Sequence, residues 1–194
     1  MFFSIIISYL PYTLVTAFTP GPNNIVALHT VSQDGWRNGK NILFGIGAGF
    51  FSVMAVCALF CYELAKYVPS VAGVLKYAGA AYIAYLAVHV ALSKPDSGGN
   101  KQMSFIKGFL LEFVNVKIIL YAITVYTGYV LPYDGSLGAL LIHAVLLTVI
   151  GMAGTLTWAA AGGVFQTFLK KYYRPFNIAM ALVLLWCAGS LAFD

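Results

Sequence analysis

The sequence predicts an all-α polytopic membrane protein: about six transmembrane helices in two inverted three-helix repeats, the first helix broken at Pro20-Gly21-Pro22. Three observations carry this expectation. Hydrophobic residues fill 61% of the 194 positions and charged residues 9%, against roughly 45–50% and 25% in soluble domains. The apolar residues fall into long runs joined by short polar links, which at about 20 residues per span leaves no room for a soluble domain. A polar linker divides these runs three and three.

The first run extends from about Phe2 to Ser32 and is longer than one span needs. Met1-Phe2-Phe3-Ser4 lacks the basic start of a signal peptide, and Ala17-Phe18-Thr19 is a poor cleavage site, so the segment is expected in the mature protein. After the polar turn Gln33 to Lys40, a second run covers about Asn41 to Tyr62. Its Gly45 and Gly49 form a small-xxx-small pattern that lets two helix backbones approach closely in lipid. The link Glu63 to Tyr67 leads to a third run, about Val68 to Leu92, with Ala78-Gly79-Ala80-Ala81 near its middle.

Residues Ser93 to Gln102 are rich in Pro, Gly, Ser and charge and have no apolar period, which marks a linker. The chain therefore reads as one transmembrane domain over 1–194, with a first repeat at 1–93, a linker at 94–104 and a second repeat at 105–194. The second repeat holds a fourth run from about Phe105 to Leu131, the turn Pro132 to Gly135, and a fifth run from about Leu137 to Phe168. The link Lys170-Lys171-Tyr172-Tyr173-Arg174 precedes the sixth, about Pro175 to Phe193, where Pro175 reads as a helix start.

The net charge of +5 is scattered as singles and pairs at the ends of apolar runs. That is no nucleic-acid footprint. Arg37 and Lys40, then Lys94, Lys101 and Lys107, then Lys170, Lys171 and Arg174 follow runs one, three and five, while the opposite side has little beyond Lys66. Basic residues in short loops stay cytoplasmic, so both termini are expected on the far side. An odd number of spans per half makes structural repeats inverted, which is transporter architecture.

Phe18-Thr19-Pro20-Gly21-Pro22-Asn23-Asn24 places two prolines, a glycine and two amides inside a run long enough to cross a bilayer. It must interrupt a helix where lipid cannot satisfy loose backbone groups. Lys117, near the middle of the fourth run, is the second anomaly, because a lysine at a helix centre costs about 2.5–3.5 kcal/mol on insertion scales. At about 100° per residue, Asn115 shares a face with Glu112 while Lys117 points away. Either the helix distorts near Asn115 or Lys117 finds its partner on another segment, with the carbonyls of the broken first run as the obvious supply.

The half-helix starting near Asn23 offers unpaired N–H groups and the positive end of its dipole, which suit a carboxylate. The half ending near Thr19 offers carbonyls, which suit an ammonium. Together they describe a clamp for a zwitterion. Tyr121 and Thr124 follow Lys117 at helical spacing and can line the same cavity. Proton-coupling candidates are Lys117, Glu112, Asp34 and His143; Asp34 alternatively pairs with Arg37 or Lys40 as a loop charge.

His29, His89 and His143 are spread over three runs without paired spacing, so no metal site is expected. Cys57 and Cys61, one turn apart, and Cys187 read as small core residues. A membrane thiol-redox carrier would need cysteines meeting in the membrane interior, and neither the broken nor the charged segment carries one. A metal-ion exporter lacks acidic and sulfur ligands near the break, and no stretch marks the selectivity filter of a passive channel. No cofactor motif is present, and an enzyme is not expected. The oligomeric state is not encoded in any pattern seen here.

Thr19-Pro20-Gly21-Pro22-Asn23-Asn24 resembles the signature of the LysE/RhtB family of bacterial amino-acid exporters, and chain length and spans agree over essentially the whole chain. Phe113-Val114-Asn115-Val116-Lys117-Ile118-Ile119-Leu120-Tyr121 is similar to the cysteine and O-acetylserine exporter branch, and Ala78-Gly79-Ala80-Ala81-Tyr82-Ile83 resembles the family's third span. The resemblance implies proton-driven export of small neutral amino acids across the inner membrane. The substrate site expected from the break and the charged fourth run comprises Thr19, Pro20, Gly21, Pro22, Asn23, Asn24, Asn115, Lys117 and Tyr121. Val116 stands where most of the family has proline, so any break in the fourth run must come from Asn115 and Lys117 alone.

Overall fold

The computed structural model describes residues 2–19, 21–67, 77, 80–85, 87–88, 91–92 and 104–193, without the side chains at 32–34, 38, 66–67, 162–170, 173, 176, 180 and 190–193. Pro20, His89, the side chain of Asp34, most of the third run and the linker lie outside that description. The described elements are helical: α1 (Phe2–Phe18), α2 (Pro22–Tyr67), α3 (Phe105–Val114), α4 (Val116–Val125), a π-helical turn (Tyr126–Val130) and α5 (Leu137–Phe193).

The long helices bury one apolar stripe and leave another apolar stripe outside. On α1, Ile5, Tyr9, Tyr12, Val15 and Thr16 are buried while Phe3, Ile7 and Leu14 are exposed. On α5, Leu140, Ala144 and Leu147 are buried while Ile142, Val145 and Val149 are exposed. Such outward apolar faces would be a liability in water and match a lipid environment. Gly39–Ala65 and Leu137–Ala161 are each long and apolar enough to cross a membrane.

Two further helix pairs are long and apolar enough only when each is taken together across a break. Phe2–Phe18 and Pro22–Val31 meet at 47°, and Phe105–Val114 and Val116–Val130 meet at 60°. The second break therefore forms without a proline. Asn115 adopts φ −82° and ψ 88°, its N–H reaches Glu112 O at 3.3 Å, and its own carbonyl accepts from Ile118 and Ile119 to start the next helix. The ladder lapses for one residue, and the chain turns there.

Two sequence expectations are corrected. The polar stretch after the first run is a kink within α2: only Gly35 leaves helical geometry, at φ 73° and ψ 168°, a conformation that glycine adopts without a Cβ penalty. Pro175 does not begin a helix but lies inside α5, whose helical backbone continues through the basic link. A helix tolerates this by giving up one hydrogen bond. The second apolar stretch of α5, Asn177–Gly189, is shorter than a usual span.

The glycines of the second run do what their spacing predicts. A Cβ on Gly45 would collide with Phe105 O, and one on Gly49 would lie 2.5 Å from Phe109 O. Gly108 of α3 returns the contact, with its Cβ position 2.6 Å from Ile42 O. The two backbones touch, which fixes α3 against α2. Cys57, Cys61 and Cys187 are free thiols packed in the same apolar core as Tyr9, Tyr12 and Leu140.

Candidate functional site

The two breaks meet. Lys117, in the first turn of α4, extends its Nζ to the last carbonyls of α1, donating to Thr16 O at 3.1 Å and Thr19 O at 3.4 Å. The partner on another segment and the distortion at Asn115 are thus both present. A helix end exposes carbonyls that lack intrahelical donors, and a lysine in an apolar bundle needs acceptors. Each defect answers the other.

The remaining carbonyls of that end are also taken. Asn24 Nδ2 donates to Ala17 O at 2.7 Å and Thr19 O at 3.0 Å, and Trp158 Nε1 donates to Phe18 O at 3.1 Å. Thr155 Oγ1 holds Asn24 in place through Oδ1 at 3.1 Å. Thr19 folds back, its N–H and hydroxyl both on Val15 O. This narrows half of the expected clamp: Thr19 O already accepts from both Asn24 and Lys117, while the carbonyls of Thr16, Ala17 and Phe18 each accept from one side chain of the protein itself.

The other half stands free in the geometry. α2 begins at Pro22, and its first intrahelical contact runs from Ile25 N to Gly21 O at 2.9 Å. The N–H groups of Asn23 and Asn24 belong to the first turn, which has no internal acceptors. Beside them Lys117 brings a positive charge within reach of Gly21, where a Cβ would lie 3.1 Å from Nζ. Cation and helix start converge on one corner, where both favour negative charge.

A second network lies behind this corner. Asn115 Nδ2 donates to Asn23 Oδ1 at 3.0 Å, and Asn23 Nδ2 donates to Glu112 Oε2 at 3.0 Å. Glu112 is fully buried, against Gly49 of α2, whose Cβ would stand 2.9 Å from Glu112 Cγ. Its other oxygen, Oε1, is buried without a partner.

In front of them lies a pocket bounded by Thr16, Gly21, Asn23, Asn115, Lys117 and Tyr121, with Ala17, Pro22, Asn24, Phe50, Ile118, Gly151 and Thr155 completing the wall. Thr16 Oγ1 and Tyr121 OH are buried and unpartnered. Phe50 presses on Gly151, where a Cβ would meet the ring at 2.7 Å, so the apolar wall is held close. The pocket offers a cation and N–H groups at one side, amides at another, and two hydroxyls against a ring face.

Of the residues expected at the site, Gly21, Pro22, Asn23, Asn24, Asn115, Lys117 and Tyr121 line this pocket, and Thr19 supplies a carbonyl to Lys117. Thr124 is buried on α4 outside the lining. His143 is elsewhere: its Nδ1 meets Tyr9 OH at 2.9 Å, and Phe2 packs on its ring. Sequence reasoning missed Thr16, Phe50, Gly151, Thr155 and Trp158. Thr16 was within reach, one turn before the break; the α5 residues carried no signal, since a Thr and a Trp in an apolar helix look like packing.

A half-buried cation set against broken helices in an apolar bundle is the arrangement of a membrane transporter, not an enzyme. The chain belongs to the LysE family, described as LysE type translocator, which it matches over residues 14–194. It is 44% identical over 183 residues, 93% of this chain and 94% of the relative, to the cysteine/O-acetylserine efflux proteins of Escherichia coli strain K12 and Shigella flexneri serotype 5b. The same figures hold for the cysteine/O-acetylserine efflux protein of Escherichia coli O1:K1. No solved structure matches the chain.

Proposed function

We propose that this protein is a secondary active exporter of small neutral amino acids, cysteine and O-acetylserine foremost, moving them out of the cytoplasm across the bacterial inner membrane against proton entry. The observation that carries this reading is the corner formed by Lys117 Nζ, Gly21 and the start of α2. A zwitterion's carboxylate fits there, while its short side chain meets the Thr16 and Tyr121 hydroxyls and the Phe50 ring. A long or cationic side chain meets Lys117 and the closed aromatic wall instead. The names of the relatives support the same substrates.

In this reading the two halves, 1–93 and 105–194, are inverted repeats with both termini periplasmic, and rocking of one against the other exposes the pocket alternately. Lys117 binds the carboxylate rather than carrying the proton. The test is transport in vesicles loaded with labelled cysteine, O-acetylserine, threonine or leucine, with and without a proton gradient. Cysteine and O-acetylserine leave fastest and only with the gradient, and Lys117→Gln loses binding of both. A Lys117→Gln protein that binds normally but no longer couples would reverse the role given to Lys117.

A further inference from the structure

We propose that Glu112, Asn23 and Asn115 form a proton-operated amide relay, in which protonation of Glu112 turns the polar group that Asn115 shows the pocket from an acceptor into a donor. The inference rests on the pocket being an amino-acid site and names how its occupancy is tied to a proton.

The polarity of a hydrogen-bond chain is set by the member with least choice. A carboxylate can only accept, so an ionised Glu112 requires the NH2 end of Asn23, which is what Asn23 presents at 3.0 Å. The oxygen of Asn23 then faces Asn115, which must donate, as it does at 3.0 Å. Asn115 has spent an N–H, and Oδ1 is its acceptor left for the pocket it lines.

A protonated Glu112 reverses each step. Its O–H donates to Asn23 Oδ1, the Asn23 amide turns over, and its NH2 end engages Asn115 Oδ1. Asn115 then offers NH2 to the pocket. An ammonium is held by the first arrangement and rejected by the second, since it only donates. With Thr19 O already accepting from Asn24 and Lys117, Asn115 Oδ1 joins the Thr16 and Tyr121 hydroxyls as an acceptor that the pocket turns to that ammonium.

The surroundings suit such a switch. Glu112 is fully buried with Oε1 unpartnered, so a proton on Oε1 would find no acceptor, and the O–H is satisfied on Oε2 with the Asn23 amide turned over. α2 faces it with Asn23 and Gly49, neither titratable. α4 brings Asn115 and the one titratable group of the pocket wall besides Tyr121, Lys117, whose Nζ is directed to the Thr16 and Thr19 carbonyls. Proton and substrate then exclude each other. Outside, a proton enters Glu112 and the amino acid leaves; inside, the proton departs to the cytoplasm as the next amino acid binds. That is antiport.

The test is binding of O-acetylserine to the purified full chain in detergent across a pH series, with proton release followed in weak buffer. The wild type binds more tightly as pH rises, by about tenfold per pH unit where Glu112 titrates, and releases a proton on binding. Glu112→Gln binds with an affinity independent of pH in that range and releases none. Wild-type binding without proton release overturns the relay and needs no variant, so misfolding of Glu112→Gln cannot shield it. Release that persists in Glu112→Gln also overturns it. Gradient-independent export by the wild type would overturn the relay while leaving amino-acid export intact; a wild type that binds and moves no amino acid overturns both.

Discussion

Gly21 and Lys117 face each other so closely that a single methyl group on Gly21 would stand 3.1 Å from the Lys117 ammonium and 3.5 Å from its Cδ. The glycine is therefore read by its missing side chain: it leaves the charge open to the pocket. Gly21→Ala pushes aside the flexible end of the lysine, so the chain still folds. Affinity for O-acetylserine is expected to fall about tenfold, equivalent to about 1.4 kcal/mol, in a direct binding titration. Unchanged affinity would mean that the carboxylate docks elsewhere.

The contact between α2 and α3 is expected to dominate stability. A Cβ on Gly49 would lie 2.5 Å from a backbone oxygen and 2.9 Å from Glu112 Cγ, and backbone cannot move aside as a side chain can. Gly49→Ala should destabilise the protein by about 1–3 kcal/mol as overpacking does, read as an earlier thermal transition in detergent. Gly138→Ala, where a Cβ meets nothing within 4 Å, serves as the control and leaves the transition in place.

Thr155 and Trp158 of α5 hold the broken end of α1 through Asn24 and Phe18 O. Trp158→Phe leaves the buried Phe18 carbonyl without its donor, a loss of about 1–3 kcal/mol. The expected signature is weaker substrate binding together with faster hydrogen exchange at the end of α1. A stability loss without any change in exchange there would show that the indole acts by bulk alone.

The turn before α5 has its own pH signature. Ser136 donates its N–H to Asp134 Oδ1 at 2.9 Å, and hydrogen bonds from Ser136 hold the Asp134 carboxyl below its ordinary range. A lowered carboxylate value stabilises the fold above the unfolded value and ceases to do so as pH falls through the folded one. Asp134→Ala is thus expected to melt earlier than the wild type at neutral pH, with the gap closing only in strong acid. Any pH effect on transport near neutrality must arise elsewhere, and a shifted neutral transport profile in Asp134→Ala would contradict this.

Much of the site was legible because membranes make polar residues conspicuous. Pro20-Gly21-Pro22 and Lys117 each violate the rules for a lipid-embedded helix, and their pairing follows from what each lacks. The partners of the carbonyls at the end of α1 were not legible, since sequence shows that a helix end has free carbonyls but not which donors from α4 and α5 will reach them. The break at Asn115 was foreseen as one of two alternatives; its 60° bend was not, because nothing local demands it without a proline. The kink at Gly35 looked like a loop, for the stretch Gln33 to Lys40, with its charges, amides and two glycines, carries no apolar helical period even where the backbone keeps its ladder.

The glycine contacts between α2 and α3 also have a mechanical meaning. Where Gly45 and Gly49 lie on the carbonyls of Phe105 and Phe109, and Gly108 on that of Ile42, no side chain stands between the helices to change rotamer and let them slide. The seam behaves as a weld. Glu112 rides on this welded pair, while Asn23 and Asn115 each lie beyond a bend from it, at Gly35 and at Asn115 itself. A stroke of the transporter would then flex at those bends, and the two hydrogen bonds that join Glu112 to the pocket are the ones that straddle the joint.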